Sequence, residues 1–173
     1  STSTNCHGVD DGRGTGGVSK EVNYVQTSSA APTPNPERAA TFLSSVTSPT
    51  NNPVTGAKVQ VPGGPLLILT NFMGMGRSFL NSELYASQTA LDTARPGGNY
   101  NLQLTRTSGS PSANVSLSGT YPNIPQIMNY DAAQAINPAA DFVLQWNGFT
   151  GATGTDSVSV SLINPATFWI WTA

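Results

Sequence analysis

Strict alternation of apolar with uncharged polar residues is the feature that most restricts what this chain can fold into. It is plainest in SVSVSLI, where Val158, Val160 and Leu162 share one face. The same period recurs in AKVQV (Ala57, Val59, Val61), in NYNLQLTRT (Tyr100, Leu102, Leu104) and in NVSLSG (Val115, Leu117). A period of two sends alternate side chains to opposite faces of a pleated strand, leaving one face to bury and one to wet. Turn signals separate these segments roughly every ten residues, which favours sandwiches over a parallel α/β sheet. The expected fold class is all-β, an antiparallel β-sandwich or sandwiches with at most one short helix.

Composition agrees and narrows the range of functions. Charged residues make up 9% of the chain, against roughly a quarter in ordinary domains. Seven Lys+Arg oppose nine Asp+Glu, a net charge of −2. That balance supplies no clustered basic face, so nucleic acid and anionic membrane surfaces are not expected partners. Polarity comes from Ser, Thr, Asn and Gln, with 17 Gly and 13 Pro, a mixture suited to solvated strands and turns and ill suited to helices. Apolar runs such as Leu66–Leu69 are far too short to span a bilayer. Cys6 is the one cysteine, either free or bridging two chains. The chain begins at Ser1 with no basic start and apolar run, as a processed secreted protein or a trimmed chain would. Secretion or a cell-surface location is the expectation.

Local signals divide the chain. Residues 1–20 are rich in Gly, Ser and Thr without periodicity and read as a flexible arm. Residues 21–120 hold enough strand candidates for one sandwich. Among them are VNYVQT from Val22 and ATFLSSV from Ala40 to Val46. Ala31–Glu37 should be an extended connector or turn, because each proline lacks an amide donor. Pro62–Gly64 is a strong breaker, and the apolar run from Pro65 to Phe72 reads as a strand buried on both sides. Ser82–Arg95 is the one helix candidate. Thr89 would cap a turn through Ala90, Leu91 and Ala94, stopped by Pro96, Gly97 and Gly98. Residues 121–173 hold fewer strands, including DFVLQW with Trp146 expected in a core. Too thin to be independent, this part should pack on the first or be completed by another chain.

No group of residues reads as catalytic. Cys6, His7, Asp10 and Asp11 lie close in sequence, but neighbours on an extended chain point apart and a zinc site needs more ligands. His7 is the sole histidine, so a Ser-His-Asp triad would require the arm to fold over a site. Asp10–Gly17 lacks both the ligand alternation of a calcium loop and the Lys-Ser/Thr ending of a phosphate loop. Glu21, Glu37 and Glu83 show no recognisable carboxylate pairing. Trp169 and Trp171 share a face of FWIWTA and are the candidate ligand residues. Two rings on one strand face can stack on sugars, or pack against another sheet or subunit. No cofactor or metal is implied.

Several strings together resemble a module found in large secreted proteins of environmental bacteria: NYVQTSSAAP, GAKVQVPGG, ALDTARPGGNYNLQLT and the stretch from VSLSGTYPNIP to SVSVSLI. The resemblance covers roughly residues 22–163 and brings no active site. The last part is similar to the opening strands of a fibronectin type III or immunoglobulin-like domain, with Pro125 leading one strand and Trp146 in the next. The resemblance implies a secreted β-module.

The combined expectation is a non-catalytic extracellular structural or adhesive subunit. Its partners would be further copies of itself or neighbouring protein domains, joined by strand pairing into a filament. A carbohydrate-binding module using Trp169 or Trp171 against polysaccharide is the alternative.

Overall fold

The computed structural model describes residues 2–6, 15–48, 53–72, 78–106, 109–117, 120–148, 150–151, 161–163 and 170–172; for 2–6, 161–163 and 170–172 it describes the backbone alone. The strands up to the first helix are β1 (Thr2–Cys6), β2 (Thr15–Val22), β3 (Tyr24–Val25), β4 (Thr33–Pro34), β5 (Ala40–Thr47), β6 (Val54–Gln60), β7 (Leu66–Asn71) and β8 (Ser78–Tyr85). Then follow α1 (Gln88–Ala94), β9 (Gly98–Arg106), β10 (Ser112–Leu117), the single turn α2 (Tyr130–Ala133), β11 (Ser161–Ile163) and β12 (Ile170–Thr172). The chain is all-β and antiparallel, as its alternation requires.

Eight strands form one sheet in the order β1-β2-β5-β8-β7-β6-β9-β10. The segment β9-β6-β7-β8 is a Greek key, since β9 returns to lie beside β6 after three consecutive strands. The sheet bends on itself until its outer strands β1 and β10 approach each other, giving a near-barrel. Its interior is the core. Val18 and Val22 point inward from β2, Phe42 and Val46 from β5, Val59 from β6, and Val115 and Leu117 from β10, all buried. Phe42 and Tyr100 stack across the interior with ring centroids 5.7 Å apart, tying β5 to β9.

Two glycines sit where the backbone demands them. Gly63, at φ 62°, turns the chain between β6 and β7, where the Gly64 amide donates to the Val61 carbonyl at 3.0 Å. Gly98 opens β9 at φ 141°, and a Cβ there would lie 3.3 Å from Pro62 Cγ.

Helix α1 packs against β5 and β8 and buries Leu91 completely. Its cap is Ser87, whose Oγ accepts from the Ala90 amide at 3.1 Å, rather than Thr89. The helix is shorter than the expected span because Ser82–Tyr85 completes β8, whose pairing with β5 runs to Tyr85. Ladder bonds outweighed helix propensity there.

Three other expectations change. Residues 15–20 are strand rather than arm: β2 pairs along its length with β5, and Val18 and Lys20 are buried. Backbone pairing also joins Thr2–Cys6 to β2. The apolar run at β7 is buried on one face only. Leu69 is buried, whereas Leu66 and Ile68 are exposed, Ile68 at 66%. Trp146, expected in a core, is 43% exposed.

Trp146 belongs to a ribbon formed by residues 123–128 with 145–148 and 150, joined by the bridge Ile127↔Trp146. Among the described residues no second layer covers it, and Ile124, Met128 and Val143 are exposed as well. Asparagine amides do much of the ladder's work. Asn147 Oδ1 accepts from the Gln126 amide at 2.8 Å while its Nδ2 donates to the Ile124 carbonyl at 2.9 Å. Asn123 does the same with Thr150 and Gly148, and Asn129 with Gln145 and Val143. A side-chain amide carries the same donor and acceptor as a peptide group, so it can replace one.

Candidate functional site

The residues singled out from sequence are not brought into one site among the described residues. Trp169, His7, Asp10 and Asp11 lie outside the described residues. Trp171 falls in β12 opposite Leu162 of β11, and Cys6 in β1 opposite Val18. Glu21 and Glu83 each face an arginine: Arg38 lies 3.7 Å from Glu21, and Arg95 lies 2.8 Å from Glu83. Among the described residues no group of three or more His, Cys, Asp or Glu side chains could hold a metal ion.

A polar cluster that sequence reading missed lies where α1 meets the interior. Register aligns Lys20 with Phe42 and Phe42 with Glu83, so a lysine, a phenylalanine and a glutamate share one inward row across β2, β5 and β8. Lys20 is 0% exposed. Its Nζ donates to Asp92 Oδ1 of α1 at 2.6 Å, and the Tyr121 hydroxyl donates to the same oxygen at 3.0 Å. The Tyr121 ring centroid is 5.6 Å from the amine.

Beside this pair, Arg95 grips Glu83 with two hydrogen bonds of 2.8 Å, and its guanidinium lies 5.7 Å from the Phe42 ring centroid. The Tyr85 hydroxyl donates to Glu83 Oε2 at 2.6 Å. Burial raises the Glu83 carboxyl, but hydrogen bonds from Arg95 and Tyr85 and the charge of Arg95 outweigh it, holding the group below its ordinary value. Burial, then the hydrogen bond to Glu83, push Tyr85 up to about 12. Burial pushes Tyr100 up to about 12 as well. Its hydroxyl donates to the Pro96 carbonyl at 2.8 Å. In the folded chain both phenols favour their protonated, donating forms. The only sequence signal for this cluster was the inward parity of Lys20 with Val18 and Val22, and Val18 and Lys20 lay inside the supposed arm.

The second feature is an opening in the sheet. β5 and β8 pair from Ala40↔Tyr85 to Thr47↔Ser78. β7 and β8 pair only at Thr70↔Leu80 and Asn71↔Phe79. Beyond those pairs the two strands part. Among the described residues Asn81–Tyr85 of β8 has a strand partner only in β5, and Leu66–Leu69 of β7 only in β6. Strands paired on one side present alternate amides and carbonyls on the other. Outward side chains flank the opening: Leu66 and Ile68 on β7, and Leu84, 64% exposed, on β8. Here, among the described residues, strand edges without a strand partner lie beside exposed apolar side chains.

No described helix is long and apolar enough to cross a membrane. The chain matches no protein-family model, and comparison with curated proteins and with solved structures finds nothing similar to it.

Proposed function

We propose that this chain is a non-catalytic structural or adhesive module of the extracellular space, and that it associates with its own kind or with neighbouring domains through strand pairing at the β7/β8 opening. The observation that carries the reading is the pairing of β7 with β8 over only two residue pairs, which leaves two open edges beside Leu66, Ile68 and Leu84. An added strand would gain main-chain hydrogen bonds from the edge and apolar contacts from the flanking side chains. Low charge and abundant Ser, Thr and Asn suit a secreted surface and leave few charges to oppose edge pairing.

Sedimentation across a concentration series tests the proposal. The native chain should self-associate, and Ile68→Lys with Leu84→Lys should make it monomeric while folding stability stays within about 0.5 kcal/mol, as for outward surface changes. A native chain that stays monomeric and takes up no edge-strand peptide would sink the reading.

The exposure of Trp146 favours a second reading, a carbohydrate-binding module. Retention on insoluble polysaccharide, lost on Trp146→Ala, is its test. The neighbouring Asn123 and Asn147 amides are already committed to the ribbon, which leaves fewer polar groups to orient a sugar.

A further inference from the structure

Lys20 is the most unusual group in the molecule. Its ammonium carries three donors, is 0% exposed, and meets one described acceptor, Asp92 Oδ1 at 2.6 Å. Burying a charge with one acceptor among the described residues is costly even when a counter-ion is present. A neutral arrangement of the same atoms would remove that cost. The partners are separated by 72 positions and sit on different elements, β2 and α1. Val18 and Val22 flank the lysine on its strand, both buried. The Asp92 side chain is 34% exposed, so one side of the pair opens to solvent.

We propose that Lys20 and Asp92 condense into an intramolecular amide, a self-made cross-link between β2 and α1. The ammonium gives one proton to the carboxylate, where it settles on Oδ2, the oxygen not held by Lys20 and Tyr121, giving a neutral amine and a neutral acid. The Nζ lone pair then attacks Cγ. Negative charge developing on Oδ1 is met by the Tyr121 hydroxyl, which already donates to that oxygen at 3.0 Å. The bond from Cγ to the other oxygen breaks, and that oxygen departs as water with a proton from Nζ. One C–N bond forms, one C–O bond breaks, two charges vanish, and no oxidant, reductant or co-reactant takes part. Water leaves through the open side of Asp92. The fold supplies the rate: holding reactants in contact is worth effective concentrations on the order of 10⁵–10⁸ M in well-oriented cases. This inference does not depend on the strand-pairing proposal.

Intact mass spectrometry of the full chain, purified folded and then denatured, reads the result directly. The native chain should be lighter than its sequence mass by one water, and a protease digest should yield a branched peptide holding both Lys20 and Asp92. Lys20→Arg keeps a cation beside Asp92 but removes the nucleophilic amine, so it should show the full mass, as should Asp92→Ala. Tyr121→Phe should slow the loss of water during refolding. A native chain at full sequence mass overturns the proposal without reference to any variant. So does a loss of water that the digest places anywhere other than Lys20 and Asp92.

Discussion

Gln26 and Ile127, 101 positions apart, exchange a reciprocal pair of hydrogen bonds: the Ile127 amide donates to Gln26 Oε1 at 2.8 Å, and Gln26 Nε2 donates to the Ile127 carbonyl at 3.0 Å. A side-chain amide here completes what a neighbouring strand would otherwise provide. Gln126 Nε2 adds a bond to the Ser29 carbonyl at 3.1 Å. The ribbon is therefore fastened by polar contacts to the segment between β3 and β4, outside the eight-stranded sheet, and its apolar Ile124, Met128 and Trp146 stay exposed.

Gln26→Ala should loosen the ribbon and spare the barrel. Loss of one partner from such a pair costs about 1–3 kcal/mol where the remaining groups are shielded. Amide hydrogen exchange should quicken at Ile127, Met128 and Asn147 and stay unchanged at Val59. Equal acceleration throughout would show that the ribbon and barrel open together.

Leu91→Ala should be among the most damaging single changes. Leu91 is fully buried beneath the helix that packs on β5 and β8. Truncating such a side chain costs about 2–5 kcal/mol through lost transfer energy and the remaining cavity. Denaturant unfolding, with an unchanged slope, is the measurement.

Acid should weaken the protein through Glu83. Its folded-state value lies below the ordinary one, so its contribution is present above the unfolded carboxylate range, roughly pH 4, and disappears as pH falls through the depressed folded value. Glu83→Gln should lower stability at neutral pH and flatten the acid limb of the stability curve. An acid limb identical to that of the native chain would show that Arg95 stabilises no carboxylate there.

Alkali should act through the buried phenols. Tyr85 and Tyr100 are each pushed up to about 12, so the folded state favours their protonated forms. That contribution is complete below the unfolded value near pH 10 and is lost as pH rises toward 12. Phenolate absorbance should therefore rise late in the native chain, together with unfolding. Tyr100→Phe should remove part of this dependence, and the bond to the Pro96 carbonyl with it, at about 0.5–1.5 kcal/mol.

Most of the strand system was legible because alternation is a local property. Ala57, Val59 and Val61, Tyr100 with Leu102, and Val115 with Leu117 are buried as their spacing requires. The misread segments share a cause. Residues 15–20 look like linker because Gly16 and Gly17 hide a strand whose support comes from β5. The apolar β7 looks doubly buried because sequence cannot tell that its outward face has no covering layer. Ser82–Tyr85 looks helical until its ladder with β5 is present.

The order of residues alone determined which side chains share a face, where turns must fall, and that uncharged polar groups would clothe the outside. Tertiary structure alone decided that Lys20 meets Asp92, that Glu83 meets Arg95, and that β7 and β8 part after two residue pairs. Face and turn arise from neighbours in the chain, within reach of backbone geometry. Ion pairs and open edges arise between segments dozens of positions apart, whose meeting depends on how the whole sheet closes around its core.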